Sequence, residues 1–154
     1  MIKPSVFLVL RYALCAHLCA DPALAGVPVH VDRLRPIAQG EERAINVRMP
    51  NAMATHAVIH ATDWRTSVFI DCAVRGAGTD EQADALLTAV HASLGGFAQT
   101  QDAEDLGVMQ TTDGADAIEW YRVAEDAGYT CATLNLTLVH RTPAGSLQPW
   151  GAAP

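Results

Sequence analysis

Residues 79–96 read TDEQADALLTAVHASLGG, and this stretch decides the fold class. Ala83, Leu86, Leu87, Val90 and Leu94 recur at helical spacing and form one apolar stripe. Thr79 with Gln82 three residues on has the spacing of a capping box, in which each side chain satisfies a backbone N–H of the first turn. Asp80, Glu81 and Asp84 suit the positive end of the helix dipole, and Gly95 and Gly96 stop the helix. Such a stripe is expected to pack on a sheet.

On both sides of this helix the apolar residues alternate instead. Upstream, residues 66–75 are rich in Val, Ile and Phe, which favour the pleated state. Residues 55–62 form the other half of a hairpin, with Asp63 and Trp64 as its turn. Residues 43–49 read as a shorter strand stopped by Pro50 and Asn51. Residues 26–40 are a leading arm limited by Pro28 and Pro36, whose Val27, Val29 and Val31 can add an edge strand.

Downstream, residues 106–112, 116–124 and 129–140 read as three strands. The pair Asp113-Gly114 turns the chain between the first two, residues 125–128 turn it again, and the expectation is a three-stranded meander. Strands, one helix and then strands predict an α+β domain: an antiparallel sheet with a single main helix packed on one face. That domain covers residues 26–141. Residues 142–154, with three prolines and two glycines, read as a flexible C-terminal tail that Trp150 can dock back onto the body.

Residues 1–25 have the pattern of a cleavable signal peptide. Lys3 and Arg11 supply positive charge, Val6–Leu10 is apolar, and Ala23-Leu24-Ala25 ahead of Gly26 has the shape a signal peptidase reads. Arg11 and His17 interrupt the apolar stretch, so an N-terminal core helix or an organelle presequence is the alternative. The export reading places the protein in the periplasm or makes it secreted, without stable membrane insertion, because no run of about 18 apolar residues is free of charge.

The chain has 154 residues, room for one domain, with 10 basic against 17 acidic side chains and a net charge of -7. That balance argues against nucleic acid, whose phosphates demand a basic stripe, and suits a protein partner of basic character. Removing residues 1–25 leaves two cysteines, Cys72 and Cys131, which in an exported chain read as a disulfide. Two separate buried thiols are the alternative. Cys72 lies on the apolar face Val68-Ile70-Cys72-Val74, whereas Cys131 alternates with Tyr129 and Thr133, on the face away from Leu134, Leu136 and Leu138. A bulge, or a strand covered on both faces, resolves that mismatch.

Few residues carry chemistry. His56 and His60, four apart, share a face of a strand and are candidate ligands for zinc or copper, but no third ligand stands at diagnostic spacing. Ser67, Ser93 and Ser146 lie in no nucleophile motif. The carboxylates Asp113, Asp116 and Glu119, and Asp102, Glu104 and Asp105, cluster at turns and read as solvated loops. Trp120 shares a strand face with Ile118 and Arg122, a candidate contact patch, and Trp64 is a second aromatic anchor. The leading expectation is a non-enzymatic exported domain that binds another protein, as an inhibitor, immunity-type or assembly accessory protein, with no cofactor. A small-ligand or metal-binding periplasmic protein using His56 and His60 is the alternative, and a hydrolase with paired carboxylates is a third reading.

Overall fold

A computed structural model describes residues 2–76, 79–111, 117–124 and 128–151. Its centre is one curled, mixed sheet of six strands. Helix α1 (Val6–Ala20) comes first, followed by strands β1 (Val29–Val31), β2 (Arg43–Val58) and β3 (Ala61–Arg75). Helices α2 (Thr79–Gly95) and α3 (Gln101–Asp105) lead into β4 (Val108–Thr111), β5 (Ala117–Val123) and β6 (Tyr129–Pro143). The path across the sheet is β1-β2-β3-β6-β4, with β5 also on β6.

This overturns the expectation of an antiparallel sheet with a single main helix. β1 pairs with β2 in parallel, through Val29–Val31 against Ile45–Val47. A second long helix joins α2 in the core: Val6, Leu10, Leu14 and Leu18 of α1 are fully buried in the same apolar cluster as Ile45, Val47, Ile70 and Val90. These four recur every fourth residue and so lie along one side of the helix. The same apolar stretch reads as the core of an export signal, and setting it aside removed a helix from the sequence-based fold. Ser5 caps α1 by accepting the Leu8 N–H.

The strand boundaries differ as well. β2 runs without a break through Pro50, with irregularities in register between Arg48 and Asn51 and between Ala54 and His56. Proline is tolerated there because no strand among the described residues pairs with the outer edge of β2 beyond Val47. The hairpin turns at Ile59 and His60, since Val58 pairs with Ala61; Asp63 and Trp64 lie inside β3. In place of a meander, β4 and β5 lie end to end along one edge of β6, against Leu138–His140 and Tyr129–Asn135. A 15-residue β6 has room for both. The turns expected at Asp113-Gly114 and at residues 125–127 lie outside the described residues.

The thiols follow from the register. Ala73 pairs with Cys131 and Cys72 with Ala132, so the two cysteines project from opposite faces of the sheet. Both are free and buried, Cys72 under the helices and Cys131 with Ile37, Ala44 and Ala73 on the far side. The expected bridge is absent because the sheet stands between the two sulfurs. Burial pushes the Cys131 thiol up to about 11, and that of Cys72 higher still.

Candidate functional site

The β2–β3 hairpin is buried at one end and bare at the other. At the core end, Ala44–Val47 of β2 and Ile70–Val74 of β3 are buried on both faces, by the helices on one side and by the strap of residues 32–42 on the other. Beneath that strap sits a buried polar network. The Asp71 carboxylate accepts two hydrogen bonds from Arg48, each 2.8 Å, one from Thr133 Oγ1 at 2.8 Å and one from Asn46 Nδ2 at 3.2 Å. These partners satisfy the hydrogen-bonding capacity of a carboxylate that is buried away from water.

Midway along, the arm is pinned on both faces. On the helix side, His140 Nε2 meets Thr66 Oγ1 at 2.7 Å and Trp64 Nε1 donates to Thr142 Oγ1 at 3.0 Å. Phe7 of α1 packs edge-on against both Trp64 and His140, at 5.3 and 5.5 Å between centroids. His140 Nδ1 is buried and has no hydrogen-bond partner among the described residues. On the opposite face, Arg141 donates to both oxygens of Asp63 at 2.6 and 3.0 Å, and the hydrogen bonds and charge of that guanidinium hold the carboxyl below its ordinary range. Arg141 also lies 5.9 Å from the Trp150 ring centre.

Trp150 does bring the C-terminal segment back to the body, and the Gly151 N–H donates to Asp105 O. Gly107 makes this possible: its φ is +72°, and a Cβ there would stand 2.7 Å from Arg141 O and 2.9 Å from Trp150 Cβ.

Beyond this pin the arm is bare. Asn51–Val58 and the turn residues Ile59 and His60 are exposed, apart from a half-buried Ala52. Met53 is 65% exposed, Val58 46% and Ile59 88%. No Asp, Glu, Lys or Arg occurs from Met49 to His60. The segment therefore combines apolar side chains, low charge and an unpaired backbone edge.

The histidine pair is not assembled as expected. His56 faces Asp63 across the hairpin, but His60 is in the turn, and Asp63 is engaged by Arg141. Among the described residues no group of three or more His, Cys, Asp or Glu side chains is placed to hold a metal. Trp64 is a packed residue of the pin, held by Phe7 and Thr142.

Trp120 and Arg122 do come together, on β5 with Ile118, at the far edge of the sheet. Trp120 is 56% and Ile118 38% exposed, while Arg122 is ion-paired with Asp80 at the start of α2. Sequence reasoning missed the tip of the hairpin because Pro50 and Asn51 split β2 into two shorter strands. The absence of charge over residues 49–60 was the available signal.

These features define a small mixed α/β chain with a projecting hairpin, uncharged at its tip, and a β5 edge that exposes Ile118 and Trp120. By sequence, the chain matches no family model and no curated protein. By structure, it is similar to a chain of the virion of a native gene transfer agent particle, at a TM-score of 0.54 and 15% identity, over 90% of this chain and 99% of that one. A second similar chain belongs to the sheath/tube terminator, in the extended state, of an extracellular contractile injection system. It matches at a TM-score of 0.49 and 9% identity, over 99% of this chain and 63% of the other. The first likeness is one of fold. Among the described residues no helix is long and apolar enough to cross a membrane.

Proposed function

We propose that the protein is a non-catalytic assembly component of a phage-like particle, docking on neighbouring particle proteins through the tip of its β2–β3 hairpin. The observation that carries this reading is the bare tip itself. Exposed strand edges are commonly blunted by charge, above all lysine, or by a covering element, because an unpaired edge invites pairing with another chain. From Met49 to His60 there is no formal charge, Met53, Val58 and Ile59 face solvent, and no strand among the described residues covers the edge. Exposed apolar side chains gathered on an uncharged strand end suit a contact with another protein.

The β5 strip with Ile118 and Trp120 lies at the opposite side of the sheet, which suits a component held between two neighbours. The likeness in fold to a gene transfer agent virion chain supports placing those neighbours in a particle.

The test is co-sedimentation. Tagged protein expressed in the native cell is followed through a density gradient of purified particles. The expected outcome is wild-type protein in the particle fraction and Ile59→Glu at the top of the gradient. Wild-type protein absent from particles, or the variant retained in them, overturns the reading.

A further inference from the structure

Residues 117–123, AIEWYRV, form β5, and from Ala117 to Arg122 every one of them is exposed. A strand inside a domain normally buries at least one face. This one is also open along its outer side: it pairs with β6, and no strand among the described residues lies beyond it. A row of unpaired backbone N–H and C=O groups is a template for a strand of another chain.

Alternation sorts the side chains of β5 into two different faces. Ile118 and Trp120 stand opposite Leu134 and Ala132, on the side of the sheet that carries the helices. Glu119 and Tyr121 stand opposite Thr133 and Cys131, on the side of the strap. The Tyr121 ring is steadied by Tyr129, which it meets edge-on at 6.4 Å between centroids.

The charge of this edge is negative. Arg122 is ion-paired with Asp80 at the start of α2, and Glu119 has no ion pair among the described residues. Glu81 and Asp84 follow Asp80 on α2, both exposed, in a chain of net charge -7. The β5 edge therefore differs from the hairpin tip, which is open and apolar but holds no acid from Met49 to His60.

We propose that β5 takes an extended segment of a partner protein as an added strand, and that basic and apolar residues alternate in that segment. The inference rests on β5 being the second contact of a component held between two neighbours, and it names what that neighbour presents. An added strand alternates in step with β5. Its apolar residues then fall beside Ile118 and Trp120, and its basic residues beside Glu119 and Tyr121, where a cation meets both a carboxylate and an aromatic ring. A second copy of this chain fits less well. Antiparallel pairing of β5 with itself about Trp120 sets Glu119 against Tyr121 with no positive charge, and brings together two chains of net charge -7.

The full-length protein is titrated with a hexapeptide of alternating lysine and valine, with its glutamate–valine counterpart, and with the lysine peptide methylated on its backbone nitrogens, following backbone amides by NMR. Expected are saturable shifts over residues 117–123 with the lysine peptide, and none with the other two. Affinity is expected to fall at least about tenfold in Trp120→Ala, as for an aromatic anchor, and about threefold in Glu119→Gln, as for an exposed charge pair. Both side chains are exposed, so both variants are expected to fold, and an unchanged spectrum away from β5 checks it. The proposal fails if the lysine peptide does not bind, if the glutamate or the methylated peptide binds as tightly, or if Trp120→Ala binds as the wild type does. Shifts over residues 49–60 without preference for lysine overturn it and leave the hairpin reading standing. Shifts of β5 that follow protein concentration without peptide overturn it in favour of a second copy.

Discussion

The two ends of the β2–β3 hairpin are built from the same pair of strands and have opposite fates. At the core end every second residue meets a helix and the residues between meet the strap, so Ile45, Val47, Ile70 and Cys72 are dry on one face and Asn46, Asp71 and Ala73 on the other. At the tip, both faces of β2 from Met53 to Val58 meet solvent. Strand propensity alone does not separate the two ends. What separates them is the partner that covers each: α1, α2 and the strap at one end, and no described part of this chain at the other. Stability is therefore concentrated at the core end, and contact with other proteins is expected where the chain leaves its own strands uncovered.

The largest expected effect comes from removing the cover at the core end. A chain that starts at Gly26 lacks Val6, Leu10, Leu14 and Leu18, four fully buried side chains that pack in one cluster with Ile45, Val47 and Ile70. Single large-to-small changes at such sites cost about 2–5 kcal/mol, and a small domain has only about 5–15 kcal/mol in total. The truncated chain is expected to show no cooperative urea unfolding. If it unfolds with the midpoint of the full-length protein, α1 is dispensable and residues 1–25 behave as a removable leader.

An intermediate effect is expected at the pin. Burial lowers the pKa of His140 from 6.5 to about 4, and its surroundings give the reason: Phe7, Trp64 and Thr66, and no acid in contact among the described residues, with the Asp63–Arg141 pair on the far face of the sheet. Between those two pH values the unfolded chain binds a proton that the folded chain refuses. Stability is thus complete above pH 6.5 and declines as pH falls through the window, by roughly 3 kcal/mol in all. His140→Gln is expected to be less stable at neutral pH, with a flattened slope between pH 6.5 and 4, measured by urea unfolding at a series of pH values. A slope unchanged in the variant assigns the acid sensitivity to other groups.

The difference between the ends also explains what could be read from the sequence. Ala83, Leu86, Leu87, Val90 and Leu94 are buried as their spacing predicts, because a helix pattern is local. The opposite facing of Cys72 and Cys131 was legible too, from simple alternation; the presumption of an exported, oxidised chain argued against it. α1 was not separable from a leader, since an apolar helical stretch near a basic residue satisfies both. The strap and the order of β4, β5 and β6 were out of reach, because pairing between strands far apart in sequence leaves no local mark. The continuity of β2 through Pro50 depends on an edge that only the folded sheet defines.

The smallest expected effect on stability is at the tip, and there a null result is the informative one. Ile59 is 88% exposed and sits in the turn, so Ile59→Glu removes little packing and leaves the β2–β3 pairing intact. Surface substitutions of this kind stay within about 0.5 kcal/mol, and the thermal midpoint of the variant is expected to match the wild type. If the midpoint falls by several degrees, the turn is structural, and loss of the variant from particles would report misfolding. If it holds while the variant leaves the particle fraction, the two ends of the hairpin are separable by one residue. The uncharged tip would then belong to the interface and the buried end to the fold.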